Sequence, residues 1–165
     1  KCEKMRKLFL TYIIACLFPL YASAQILDSL TMYKKALGYI SKDLKIKVRD
    51  IAVSDTIYNL DSFMFIGFVK GKALEKILRE RQAEQHKDTF SSLLDKKFDK
   101  ISCHTKYCIF FSDIRRGVLL AEIYELQGYG KTIDYRFVIN TALSQHHYMI
   151  IFNRKNKIES AYHLK

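Results

Sequence analysis

Five short segments in the last third of the chain share one pattern, and it restricts the fold more than any other feature of the sequence. Tyr107 to Phe111, Val118 to Leu126, Thr132 to Ile139, His147 to Phe152 and Lys157 to Leu164 are rich in β-branched and aromatic residues and read as strands. Between them lie Ser112-Asp113 with Gly117, Gly128-Tyr129-Gly130, Asn140 to Gln145, and Asn153-Arg154-Lys155-Asn156, all turn-forming residues. Consecutive strands with short links predict an antiparallel meander. Ile133, Tyr135, Phe137 and Ile139 share one face, with Asp134 and Arg136 opposite, so one side of the sheet must be covered.

The covering material lies upstream. Ile26, Leu30, Tyr33, Leu37 and Ile40 recur at steps of four and three, the stripe of an amphipathic helix. Leu44, Ile46 and Val48 then alternate with Lys45, Lys47 and Arg49, which predicts a strand. Its parity breaks at Asp50 and resumes at Ile51 and Val53, predicting a bulge before Ser54-Asp55-Thr56 ends it. Residues 60–69 form a short apolar run that periodicity assigns neither to strand nor to helix. From Gly71 to about Asp99 a helical pattern returns, as one helix or as two with a joint near Gln85 to Asp88. The predicted class is α+β, with N-terminal helices packed on a curved antiparallel sheet of about five or six strands. Helices first and a curved sheet after resembles the cystatin-like and NTF2-like architectures, which implies a sheet wrapped on a helix, often around a pocket.

The first residues carry an address. Lys4, Arg6 and Lys7 precede the uncharged run Leu8 to Leu20, and Ala22-Ser23-Ala24-Gln25 places small residues at 22 and 24. A basic end, an apolar middle and Ala-x-Ala predict a secretory signal peptide over residues 1–24, cut between Ala24 and Gln25. Pro19, the one proline, closes the apolar run. Two alternatives use the same residues. Ile13-Ile14-Ala15-Cys16 resembles a lipobox, which implies a lipoprotein attached at Cys16. Leu8 to Leu27 is 20 uncharged residues, enough for an N-terminal membrane anchor. The cleaved leader ranks first, because an anchor needs neither Pro19 nor the small pair. Residues 25–165 then form a single domain in the periplasm or outside the cell, with no stable membrane span after cleavage.

The formal net charge is +11. The basic residues are scattered rather than clustered, which argues against nucleic acid as a partner and leaves loose affinity for anionic lipid or envelope polymer. Cys103 and Cys108 flank His104 to Tyr107 and are candidates for a disulfide in an oxidising compartment. Two free thiols are the near alternative; the spacing is not the Cys-x-x-Cys of a redox pair, and zinc held with His104 and a distant histidine ranks well behind. His146-His147, within a strand, would point to opposite faces and could not chelate one ion. Glu122 interrupts the apolar run Val118 to Tyr124, so it is expected to be buried and to need a partner such as Arg136. Asp134 and Arg136 share a face and suit cross-strand pairing on a wet surface.

No Gly-x-Ser-x-Gly, P-loop, Gly-x-Gly-x-x-Gly or His-Glu-x-x-His motif is present. The expectation is therefore a small exported domain that binds a protein or small-molecule partner in the cell envelope without catalysis, with no metal or cofactor. The first alternative is a pocket enzyme of NTF2-like type using Glu122 as acid or base with Arg136 as helper. The second is a structural envelope or assembly protein pairing through the sheet edge near Leu164.

Overall fold

The computed structural model describes residues 29–83, 106–126 and 142–165. Residues 29–43 form helix α1, whose Met32, Tyr33, Ala36, Leu37 and Ile40 are buried. The helix closes in a tight cap. Ile46 N–H donates to Ser41 O and Lys45 N–H to Lys42 O, with Lys45 left-handed at φ 57°. That is the Schellman arrangement, with Lys45 where glycine is usual. It replaces the strand expected over Leu44 to Arg49. Leu44 and Ile46 alternate with lysines because they pack back on the α1 core after the cap. Lys45→Gly is expected to stabilise the domain by about 0.5–1 kcal/mol, measured by urea unfolding, since glycine carries no left-handed penalty.

A 3-10 turn, Val48–Asp50, leads into strand β1, Ile51–Ile57. The strand runs through Ser54-Asp55-Thr56, where a turn was expected. A register shift between Val53 and Ile57 absorbs the irregularity and lets Ile57 pair with Phe111. The ambiguous run 60–69 holds one helical turn, α2, Phe63–Ile66. Asp61 Oδ1 accepts the Phe63 N–H at 2.8 Å, and Ser62 Oγ donates to Leu78 O at 2.8 Å. The first bond closes the start of α2, and the second ties it to helix α3, Lys72–Ala83. The helical pattern predicted beyond Ala83 lies outside the described residues.

The sheet continues with β2 (Tyr107–Phe111), β3 (Val118–Leu126), β4 (Ala142–Phe152) and β5 (Ile158–Leu164). The strand predicted over Thr132 to Ile139 lies outside the described residues. β4 begins at Ala142, so residues 142–145, expected in a turn, are strand instead, paired with Tyr124 to Leu126. The five strands run in the order β1-β2-β3-β4-β5. β2 to β5 are antiparallel neighbours, as a meander requires, but β1 is parallel to β2. The sheet is therefore mixed and not closed. Parallel pairing follows from the connection, because a strand that returns through α2 and α3 re-enters in the same direction.

Helices cover both faces. Even-numbered residues of β2 and β3, among them Cys108, Phe110, Leu120 and Tyr124, pack with Phe65 and Leu78 of α2 and α3. The odd-numbered Ile109, Phe111, Leu119, Ala121 and Ile123 pack under α1. β3 is central and covered twice, so Val118 to Tyr124 is buried throughout. That is why it reads as a continuous apolar run rather than an alternation. The class is α+β.

Candidate functional site

Glu122 is the acid in that buried strand, with 4 % of its surface exposed. Register places it opposite His147 on β4, and Tyr124, two residues on, opposite Gln145. Tyr124 Oη donates to Glu122 Oε2 at 2.6 Å, and Gln145 Nε2 donates to Tyr124 Oη at 2.6 Å. His147 Nδ1 lies 3.5 Å from Glu122 Oε1, within ion-pair range but without a hydrogen-bond partner. The carboxylate is thus held by a relay of neutral donors from its own sheet face. Arg136, the partner expected from the sequence, lies outside the described residues. A buried carboxyl oxygen accepting a short bond from a phenol is a satisfied group, and removing the phenol would cost it that bond.

Cys108 is a free thiol, fully buried on the α2–α3 face, and burial pushes its pKa well above the usual thiol range. It is inert as a nucleophile at neutral pH. Cys103 lies outside the described residues, and no disulfide is seen among those described. Cys16, Ala24 and Gln25, the residues of the leader and its alternatives, also lie outside them. His146 and His147 sit inside β4 and face opposite sides, His147 toward Glu122 and His146 toward His163 on β5. Among the described residues, no three His, Cys, Asp or Glu side chains converge on a metal position.

The outer side of α2 was not foreseen. Phe63 is 63 % exposed and Phe68 60 % exposed, while Phe65 between them is buried. At about 100° per residue, Phe63, Met64, Gly67 and Phe68 fall on one arc, and Phe65 and Val69 on the opposite one. No charged residue stands between Ser62 and Val69, and the exposed Lys70 and Lys72 follow immediately, while Lys76 further along α3 lies 3.9 Å from Glu80. The arrangement is an apolar knob beside a basic rim. Its only sequence signal is an apolar run with more large residues than one helical turn can bury.

Comparison with known proteins yields no matching family model, no matching curated protein and no matching solved structure.

Proposed function

We propose that this chain is an exported, non-catalytic domain of the cell envelope that docks peripherally on an anionic lipid surface through the outer arc of α2. The observation that carries the reading is the joint exposure of Phe63 and Phe68 beside Lys70 and Lys72. Large apolar side chains held in water cost free energy, and a patch rimmed by one charge suits an oppositely charged apolar surface. Both sheet faces are occupied by helices, which directs binding away from the sheet and toward this knob. Among the described residues no helix is long and apolar enough to cross a membrane, and a surface mode of attachment needs none.

Magnitudes fit a reversible contact. Burying one phenylalanine gives about 1.5–3 kcal/mol, and each lysine near an anionic surface adds about 1 kcal/mol. The protein is therefore expected to sediment with phosphatidylglycerol vesicles and far less with phosphatidylcholine vesicles. The double variant Phe63→Ala, Phe68→Ala is expected to bind at least about tenfold more weakly. It should keep the thermal stability of the parent, because both rings already face solvent. Equal binding by parent and double variant would remove α2 from the contact. Absence of binding to anionic vesicles would assign the knob to a protein partner. The pocket-enzyme alternative has in its favour that Tyr124 and His147 stand close to Glu122, but the carboxylate's short bond to Tyr124 supports a structural role.

A further inference from the structure

The opposite face of β4 carries a second polar cluster, independent of α2 and of Glu122. His163 Nδ1 lies 3.0 Å from Asp43 Oδ2, and its other nitrogen, Nε2, lies 2.9 Å from His146 Nδ1. Tyr148 Oη donates to the same Asp43 oxygen at 2.7 Å, and the Tyr148 ring stacks on His163 with centroids 4.3 Å apart and planes 14° apart. Asp43 is in the last turn of α1, His146 and Tyr148 are on β4, and His163 is on β5. One carboxylate thus joins the end of the helix to the two last strands.

The facing nitrogens set a rule about protons. With both rings neutral, His163 Nδ1–H donates to Asp43, His163 Nε2 accepts from His146 Nδ1–H, and His146 Nε2 keeps its lone pair. One added proton on His146 Nε2 leaves every one of these bonds intact, and its charge is balanced across the relay by Asp43. A second proton would put N–H groups on both facing nitrogens, which cannot stay 2.9 Å apart.

We propose that His146 and His163 form one proton-binding unit latched to Asp43, which takes its first proton with the contact intact and opens on the second. The latch makes the joint between α1 and the β4–β5 edge sensitive to acid. The groups facing the pair are Asp43 and Tyr39 from α1, Glu125 from β3, Tyr148 from β4 and Lys165 after β5, and His147 acts on His146 electrostatically from the other side of the strand. Burial lowers the His146 pKa, and the neighbouring His163 charge lowers it further. A histidine whose folded pKa is depressed stabilises the fold above the unfolded value, about 6.5, and loses that contribution as pH falls through the folded value. Stability is therefore expected to decline on acidification below that point.

The test is an NMR titration of the imidazole resonances in the full chain. His146 and His163 are expected to titrate together in two steps more than about 1 pH unit apart, with both rings responding in each step. His163→Gln should leave His146 with a single step, still below the ordinary imidazole value because its burial remains. Asp43→Asn should move the upper step of the pair to lower pH, because the balancing charge is gone. If His163→Gln does not fold, the parent curve and Asp43→Asn decide the matter. Two independent single steps, unaffected by Asp43→Asn, would overturn the proposal. So would micromolar zinc that shifts both rings and abolishes the proton steps, since the contact would then be a metal site.

Discussion

Arg81→Ala is expected to lower the unfolding free energy by about 3–5 kcal/mol, the cost of breaking a buried charged network by removing one partner. Arg81 is 2 % exposed, unusual for arginine. Its Nη1 donates to Ser112 Oγ at 3.2 Å and Asp113 Oδ1 at 3.1 Å, and its Nη2 to Asp113 O at 2.7 Å and Val118 O at 2.8 Å. Ser112 Oγ in turn accepts the Leu120 N–H, and Tyr33 Oη of α1 donates to Ser112 O. Both α1 and α3 are therefore fastened to the same β2–β3 corner. Burial lowers the Arg81 pKa and the Asp113 carboxylate opposes the shift, and a guanidinium stays charged at neutral pH. Alanine would leave Ser112 Oγ, Asp113 O and Val118 O each one hydrogen bond short at that corner and Asp113 without its buried cationic partner. Arg81→Lys restores a charge without the planar fork and is expected to recover only part of the loss. Urea unfolding of the three proteins decides it, and a loss under about 1 kcal/mol for Arg81→Ala would reduce this network to a surface contact.

Gly117→Val is expected to cost more than the backbone term alone, which is about 1–3 kcal/mol for a bulky residue held at positive φ. Arg116 and Gly117 have φ values of 49° and 78° and are the two central residues of the Arg115–Val118 hairpin turn, a type I′ geometry. A Cβ on Gly117 would stand 2.6 Å from Phe152 O, a backbone atom that cannot swing aside. The same contact holds a ladder bond, Phe152 N–H to Gly117 O at 2.8 Å, so a shift would break the end of the β3–β4 pairing. Thermal unfolding is expected to show a clear drop in Tm for Gly117→Val and a smaller one for Gly117→Asn, which tolerates the left-handed region. Equal Tm values for the parent and the valine variant would show that the corner can open without cost.

Some of this architecture is legible in the residues and some is not, for physical reasons. α1 is readable because its apolar positions follow one period over the whole element, and β3 because a strand covered on both faces is apolar throughout. The Leu44 to Val48 alternation misleads, since a helix cap followed by a chain folding back on the core also buries every second residue. The direction of β1 is hidden, because alternation marks a strand and says nothing of its neighbour. A helix of four residues has no period, so the exposure of Phe63 and Phe68 cannot be read from the run 60–69. Arg81 sits in a polar stretch that looks like a wet helix face and becomes buried only when α3 meets the β2–β3 corner. The burial of Glu122 is written in its apolar flanks. Its partners are not, because only the β3–β4 register sets His147 opposite Glu122 and Gln145 opposite Tyr124.

The parallel β1–β2 pair also dictates an order of assembly. The β4–β5 hairpin closes across a few residues, whereas β1 can meet β2 only after the 58–106 connection has looped back. Closing a longer loop costs more chain entropy, so the antiparallel ladder condenses first and β1 docks late, bringing α1 onto its face. β1 precedes β2 in the chain and has no sheet to join until β2 has been made.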